Sequence, residues 1–297
     1  MSRERVVFAE QRMREALLAI WQVCFEEQPA PVRYFFETYF EPHNCLVYEV
    51  NDEAVAMVHL LPAQIVHNNS LIQAHYIYAA ATLPEHRSKG YMSTLLNHAA
   101  EVGAKRGDEY SFLLPSQSDL YRYYGRLGYV PYFQTRFVTL SNGELRALAA
   151  GGRKSDLVLN CQQVKSLRNS HIVACDGSVL WGEKAISYAV GISKLYGGQL
   201  ICSQAGEQFG YALCSATHKE NCTVVEIVAD EDASADLLAT ILLQVPAQTY
   251  RFRLPGFSSL FAQQGEVSTQ GMIKPLLHND GLSTTKSGLP YLGLTLD

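Results

Sequence analysis

The stretch Thr82–Met92, T-L-P-E-H-R-S-K-G-Y-M, is where residue types and spacing could do chemistry. An apolar strand-like run, His75-Tyr-Ile-Tyr-Ala-Ala-Ala81, leads into it, and a helix-like run from Tyr91 to Val102 follows. A strand, a short basic turn containing Gly90 and a helix start together make an anion site. The first amides of a helix have no intrahelical partner, the macrodipole is positive there, and glycine lets backbone approach a phosphate. Arg87 and Lys89 add charge beside it. Two other phosphate patterns are missing: no G-x-x-x-x-G-K-[ST] loop, and no G-x-G-x-x-G after a strand. A nucleoside triphosphatase of the first kind and a dinucleotide site of the second are therefore not expected. What remains is a pyrophosphate cradle fed by Ala79, Ala80 and Ala81. Small side chains would let a linear group lie along the strand and use its backbone as an added strand does. A bulge near those alanines would splay the strand from its neighbour and open such a slot. The plainer alternative is that the alanines only permit close helix packing.

The elements that must position this turn follow from periodicity. Met13, Leu17, Ile20, Trp21 and Cys24 are three or four apart and predict a helix over 10–27, closed by Pro29 and Pro31. A second, aromatic helix runs from Val32 to Phe40. Strands at 45–50 and 55–60 form a hairpin, and strands at 64–67 and 71–81 form another across Asn68-Asn69-Ser70. After the basic turn and its helix come a buried strand at 110–115, a helix from Leu120 to Leu127 and a strand-like segment over 129–140. Residues 141–156, which mix a short helical segment with Gly151-Gly152 and polar residues, are the linker candidate.

The second half repeats this order. A helix at 181–195, a hairpin of 199–203 with 209–214, a strand at 223–229 and a helix at 233–243 match their counterparts. Tyr250-Arg-Phe-Arg-Leu-Pro255 matches Tyr110-Ser-Phe-Leu-Leu-Pro115, and a glycine lies 15 residues after each tyrosine, at Gly125 and Gly265. The copies differ where chemistry would sit. Glu231 and Asp232 occupy the second turn, where carboxylates repel phosphate, and Gln264 stands at the place of Tyr124. The first half is thus expected to be the working unit and the second a structural copy.

Composition bounds the rest. The chain has 297 residues, 47% apolar and 18% charged, enough for one large or two ordinary cored domains. A net charge of −5 argues against nucleic acid and suits a cationic small substrate. No apolar run reaches membrane-span length, and no secretory segment follows Met1-Ser-Arg-Glu-Arg5. Seven cysteines without C-x-x-C spacing read as reduced, mostly buried thiols in a cytoplasm, with no metal site expected.

Apolar strand, T-L-P-E-H-R-S-K-G-Y-M, helix, strand, then Tyr123-Tyr-Gly-Arg-Leu-Gly-Tyr129 resembles the GNAT superfamily of acyl-CoA-dependent N-acetyltransferases. Its pyrophosphate signature [QR]-x-x-G-x-[GA] is met by Arg87 and Gly90, with Met92 at the last position. The pattern is most similar to the enhanced-intracellular-survival (Eis) type, which carries P-x-H-R-x-[RK]-G and Y-G-R-F-G-Y and has tandem GNAT-like halves, the second degenerate. The resemblance implies an α/β (α+β) fold of two mixed-sheet GNAT-like domains, 1–145 catalytic and 155–297 degenerate. It implies that the backbone of Ala80, Ala81 and Thr82 binds a pantetheine arm. Ser88, Lys89, Gly90, Tyr91, Met92 and Ser93 would hold the pyrophosphate, with Arg87 beside them and Asp119 and Leu120 as a further contact. Tyr124 matches the general acid, which protonates the departing thiolate. An oxyanion donor would come from the Ala80–Thr82 backbone. The base stays open between His75, His59, Glu85 and a water chain.

In the Eis type a terminal carboxylate reaches the active site from an additional sterol-carrier-like domain. Here 21 residues follow Leu276, room for one strand and not for that domain, so the Asp297 terminus is one more candidate. The expected activity is acetyl-CoA-dependent N-acetylation of an amine on a small molecule or peptide, without a metal, and homo-oligomers are compatible. The alternatives are a non-catalytic acyl-CoA-binding or regulatory protein and an aminoacyl or other acyl transferase on the same tandem fold.

Overall fold

The computed structural model describes residues 3–218, 220–262, 264–277 and 289–296. The chain divides into two compact units, Met1–Tyr132 with Gly271–Ser283 and Phe133–Gln270 with Thr284–Asp297. The division differs from the boundary at 145–155 that composition suggests, for a reason of strand pairing given below.

In the first unit, β1 (Glu4–Phe8), β2 (Cys45–Val50), β3 (Glu53–His67), β4 (Ser70–Thr82), β5 (Tyr110–Leu113), β6 (Val130–Pro131) and β14 (Met272–Pro275) form one mixed sheet. Their order across it is β1-β2-β3-β4-β5-β14-β6. β3 is one long strand, not the separate strands at 55–60 and 64–67 expected from the sequence, and it carries Pro62 within it. Proline costs little there because the β2 ladder has already ended at Cys45↔His59. Asn68 and Asn69, both with positive φ, turn β3 into β4. Helix α1 (Arg14–Phe25) ends at Glu26, which takes a left-handed conformation. Pro29 then opens α2 (Pro29–Thr38) at its first turn, where a missing N–H costs nothing, and does not close α1. Trp21 of α1 and Phe35 and Phe36 of α2 pack on His59 and Tyr78 on one face of the sheet. On the other face Leu95, Leu96 and Ala99 of α3 (Tyr91–Arg106) pack on Val58, Leu60, Ile77 and Leu113. Helix α4 (Ser118–Gly125) follows β5.

In the second unit, β7 (Gln134–Ser141), β9 (Gln199–Ala205), β10 (Gln208–His218), β11 (Asn221–Ala229), β12 (Thr249–Leu254) and β13 (Glu266–Thr269) form a sheet in the order β13-β7-β12-β11-β10-β9. A two-residue strand, β8 (Val179–Leu180), precedes α7 (Glu183–Leu195). Helices α5 (Asn142–Leu148) and α8 (Glu231–Gln244) bury Leu145, Leu237, Leu238 and Ile241 against Tyr250, Phe252 and Leu254. The segment read as a linker is therefore largely folded. Ser141 and Glu144 make a capping box for α5, and Gly152 has no room for a Cβ against the Ala235 carbonyl.

The units share a route: an antiparallel hairpin, a third strand, a crossing helix, then a parallel strand. β4 pairs with β5 in parallel and β11 with β12 likewise. Each sheet is completed from the other half of the sequence. β14, late in the second half, lies antiparallel to β5, and β7, the last strand of the first half, lies antiparallel to β12. This exchange moves the unit boundary to Tyr132/Phe133.

Candidate functional site

The site starts from an irregularity in β4. Met57 pairs with Ala81 and His59 with Tyr78, so Ala79 and Ala80 face Val58 alone, and Ala79 takes φ 46°. This is a bulge of the kind that bends a strand and ends regular pairing. On the other side, the β4–β5 ladder stops at Tyr76↔Phe112, so β4 continues to Thr82 past its last β5 partner. The backbone of Ala80–Thr82 lies at the mouth of this splay.

From Thr82 the chain makes a single 3-10 turn, Pro84–His86, and passes Ser88 (φ 62°) and Gly90 (φ 84°) into α3. Nothing lies within 4 Å of where a Cβ on Gly90 would be, so the glycine is needed for its left-handed backbone and the space beside it is open. The first helical bond is Thr94 N–H to Gly90 C=O, which leaves the amides of Tyr91, Met92 and Ser93 outside the helical ladder. Arg87 curls back so that Nε donates to the Thr82 carbonyl at 3.1 Å, and Cys24 Sγ donates to the same oxygen at 3.2 Å. The Tyr91 ring turns into the core. It stacks on Tyr48 at 4.2 Å and donates its hydroxyl to Glu4 of β1, which fixes the start of α3.

A cavity of about 580 Å³ lies over this turn. Of the twelve residues expected to hold an acyl carrier, ten line it: Ala80, Ala81, Thr82, Arg87, Ser88, Gly90, Tyr91, Met92, Ser93 and Leu120. Lys89 and Asp119 are exposed and lie outside the lining. Cys24, Phe25, His86 and Tyr123 line it without having been singled out from sequence. Among the described residues, the buried Thr82 hydroxyl and His86 Nδ1 have no hydrogen-bond partner, so the wall offers unused polar atoms to a ligand.

Tyr124 is buried behind this lining, in edge contact with Tyr123 at 5.2 Å and Tyr129 at 5.9 Å. Burial, with Tyr123 beside it, pushes its phenol up to about 12, so the group holds its proton at neutral pH. Tyr123 reaches the cavity directly, with its hydroxyl 3.1 Å from Ser93 Oγ. The Tyr-rich periodicity of α4 did not distinguish the two tyrosines.

The candidate bases are scattered. His75 is buried and pairs through Nδ1 with Asp108 Oδ2 at 2.8 Å. It fits against the last turn of α3 only because Gly103 has no Cβ, a place roughly 18 Å along the helix from Tyr91. His75 is thus not brought to the cradle. His59 is enclosed by Trp21, Phe35, Phe36 and Phe40, and burial depresses it to about 3. Glu85 is exposed on the 3-10 turn. Asp297 lies outside the described residues. No helix among the described residues is long and apolar enough to cross a membrane.

Residues 8–131 match the family model described as acetyltransferase (GNAT) domain. A comparison with curated proteins gives no match. Among solved structures, a GCN5-related N-acetyltransferase from Kribbella flavida is 20% identical, with a TM-score of 0.68 over 92% of this chain and 71% of that one. Eis1 from Mycobacterium abscessus is 14% identical, with a TM-score of 0.68 over 92% and 74%. A putative acetyltransferase from Pyrococcus horikoshii is 14% identical, with a TM-score of 0.55 over 98% and 95%. At these identities the likeness is one of fold.

Proposed function

We infer that the first unit, whose residues 8–131 match the acetyltransferase (GNAT) domain model, transfers the acetyl group of acetyl-CoA to a primary amine. The observation that carries this reading is the splay itself: a bulge at Ala79–Ala80, a β5 ladder that stops at Phe112, and helix-start amides just beyond. The residues present fit such a donor. The amides of Tyr91–Ser93 and the Arg87 side chain suit a pyrophosphate, and the exposed edge of Ala80–Thr82 suits an amide-bearing arm that adds to the sheet.

Acetyl-CoA, when bound, supplies an activated thioester. The chain's part is to hold the reacting partners, to offer an amide near Ala80–Thr82 to developing negative charge, and to deliver a proton. Positioning alone is worth up to roughly 7–11 kcal/mol. Tyr124 is the proton donor in this reading. Its elevated pKa keeps it protonated, and Tyr123, which lines the cavity, is in edge contact with it. The acceptor reaches the site as a neutral amine, its proton passed to water. Free cysteines at all seven positions suit a reducing, cytoplasmic setting.

The burial of Tyr124 behind Tyr123 favours a second reading, an acyl-CoA-binding protein that does not catalyse transfer. Tyr124→Phe separates the two. CoA affinity by calorimetry should stay within about twofold, and thiol release with an accepting amine should fall ~100-fold or more. Unchanged transfer removes Tyr124 from the mechanism. Acetyl-CoA binding without turnover, across polyamines, aminoglycosides, amino acids and peptides, favours the binding protein.

A further inference from the structure

The second unit holds a cavity of its own, about 660 Å³, on the face of its sheet opposite α5 and α8. Strand alternation places it. Tyr250, Phe252 and Leu254 point into the core beneath α8, so Arg251 and Arg253 of β12 point the other way. Arg251 lies over the ring of Phe137 at 4.6 Å, an arrangement that holds a guanidinium flat and aimed. Phe137 pairs across the ladder with Arg253 on one side and with Glu266 of β13 on the other. Two cations and one carboxylate thus flank a single aromatic ring. Among the described residues, neither arginine is in an ion pair with a carboxylate, and Arg253 Nε is buried with no hydrogen-bond partner. A half-buried guanidinium with an unused N–H is costly unless something supplies an acceptor. Ser268 and Gln270 add neutral polar groups at the β13 end.

We propose that this cavity binds a short peptide with free ends, its carboxylate held by Arg251 and Arg253 and its ammonium by Glu266. Planar guanidiniums match a carboxylate by paired N–H donors, and Glu266 stands across Phe137 at the right sign for the other end. The volume suits a ligand of several residues better than a single amino acid. The site takes no atom from the acetyl-transfer machinery and stands whether or not that reading holds.

Calorimetry on the full chain without acyl donor tests it, with trialanine as the probe. Saturable binding at millimolar affinity or tighter is expected, weakened about tenfold by Arg251→Gln and again by Arg253→Gln. Trialanine amide should bind about tenfold more weakly than the acid. Glu266→Gln should weaken trialanine and leave N-acetyl-trialanine unchanged. L-alanine binding as tightly as trialanine supports the same chemistry with a free amino acid as its source. Arg251 is exposed, so its variant is expected to fold, and circular dichroism checks each protein. The proposal is overturned if trialanine gives no saturable heat, if the amide binds as well as the acid, or if neither arginine variant alters affinity.

Discussion

The two units build the same splay and do opposite things with it. In the first, eight residues from Leu83 to Gly90 join the third strand to its helix, and the amides of Tyr91–Ser93 stay outside the helical ladder. In the second, Asp230 alone makes that connection. Its carboxylate takes the Phe209 amide at 2.8 Å and pairs with His171 at 3.0 Å, and the Asp232 amide donates to Gln208. Both third strands bulge, at Ala79–Ala80 and at Val225, and both parallel ladders stop early, at Tyr76↔Phe112 and Val224↔Phe252. Beyond Val224 the segment 289–296 runs against Val225 and Glu226, with Tyr291, Leu292, Leu294 and Leu296 buried. Below it a fully buried Arg168 meets Glu226 at 3.1 Å, and Tyr211 donates to the same carboxylate at 2.6 Å. A gap between parallel strands is therefore not itself a binding site. In the function proposed above, it becomes one where the chain leaves it open and supplies donors at its rim.

The sharpest way to break this contrast is to remove one partner of the buried pair. Arg168→Met leaves Glu226 without its counter-ion in a sealed interior, and urea unfolding should show a loss of ~3–5 kcal/mol. A loss under 1 kcal/mol would mean that this filling is loose. Next, Gly293→Ala should cost ~2–4 kcal/mol. Gly293 is left-handed, and a Cβ there would lie 2.3 Å from Arg168 Nη2 and 2.5 Å from Glu226 Oε1.

Acid probes the first unit. His59 stays neutral in the fold down to about 3, against roughly 6.5 when unfolded. The stability it contributes is complete above pH ~6.5 and is lost as pH falls from there toward 3. Between pH 7 and 5 the loss should be ~2 kcal/mol, and His59→Leu should remove that part of the pH dependence. The smallest expected stability effect is at a second left-handed glycine, in the open turn. Gly90→Ala meets no neighbour and should cost only ~1 kcal/mol, while CoA affinity falls because the turn no longer holds its shape. If Gly90→Ala destabilised as much as Gly293→Ala, the open and filled gaps would not differ as described.

How much of this was legible in the sequence depended on how local its cause was. The strand, basic turn and helix around Gly90 announce themselves through periodicity, a glycine and charge. The hairpin of β9 and β10 does so through Ala205-Gly206-Glu207. The capping boxes at Ser141 and Asn160 were also there to be found, and would have bounded the short helical segment that became α5 and given α6 (Cys161–Ile172). Gly151-Gly152 outweighed the first because glycine for close packing and glycine for flexibility look alike in a sequence. The places of β7 and β14 were not legible. Four residues, Met272–Pro275, carry no period of their own, and their partners are set by tertiary pairing. Nor could Tyr123 be told from Tyr124, since adjacent tyrosines on a short helix differ only in which direction the helix turns them.

The exchange of β7 and β14 also bears on how the chain is made. β14 lies between β5 and β6, so the first unit's sheet lacks an inner strand until Met272–Pro275 has left the ribosome, long after β5 and β6. Folding from the N-terminus, the usual order for a chain of two domains, must wait here, and the nascent first half carries an unpaired β5 edge meanwhile. The two units are duplicates in sequence order but a single product in time.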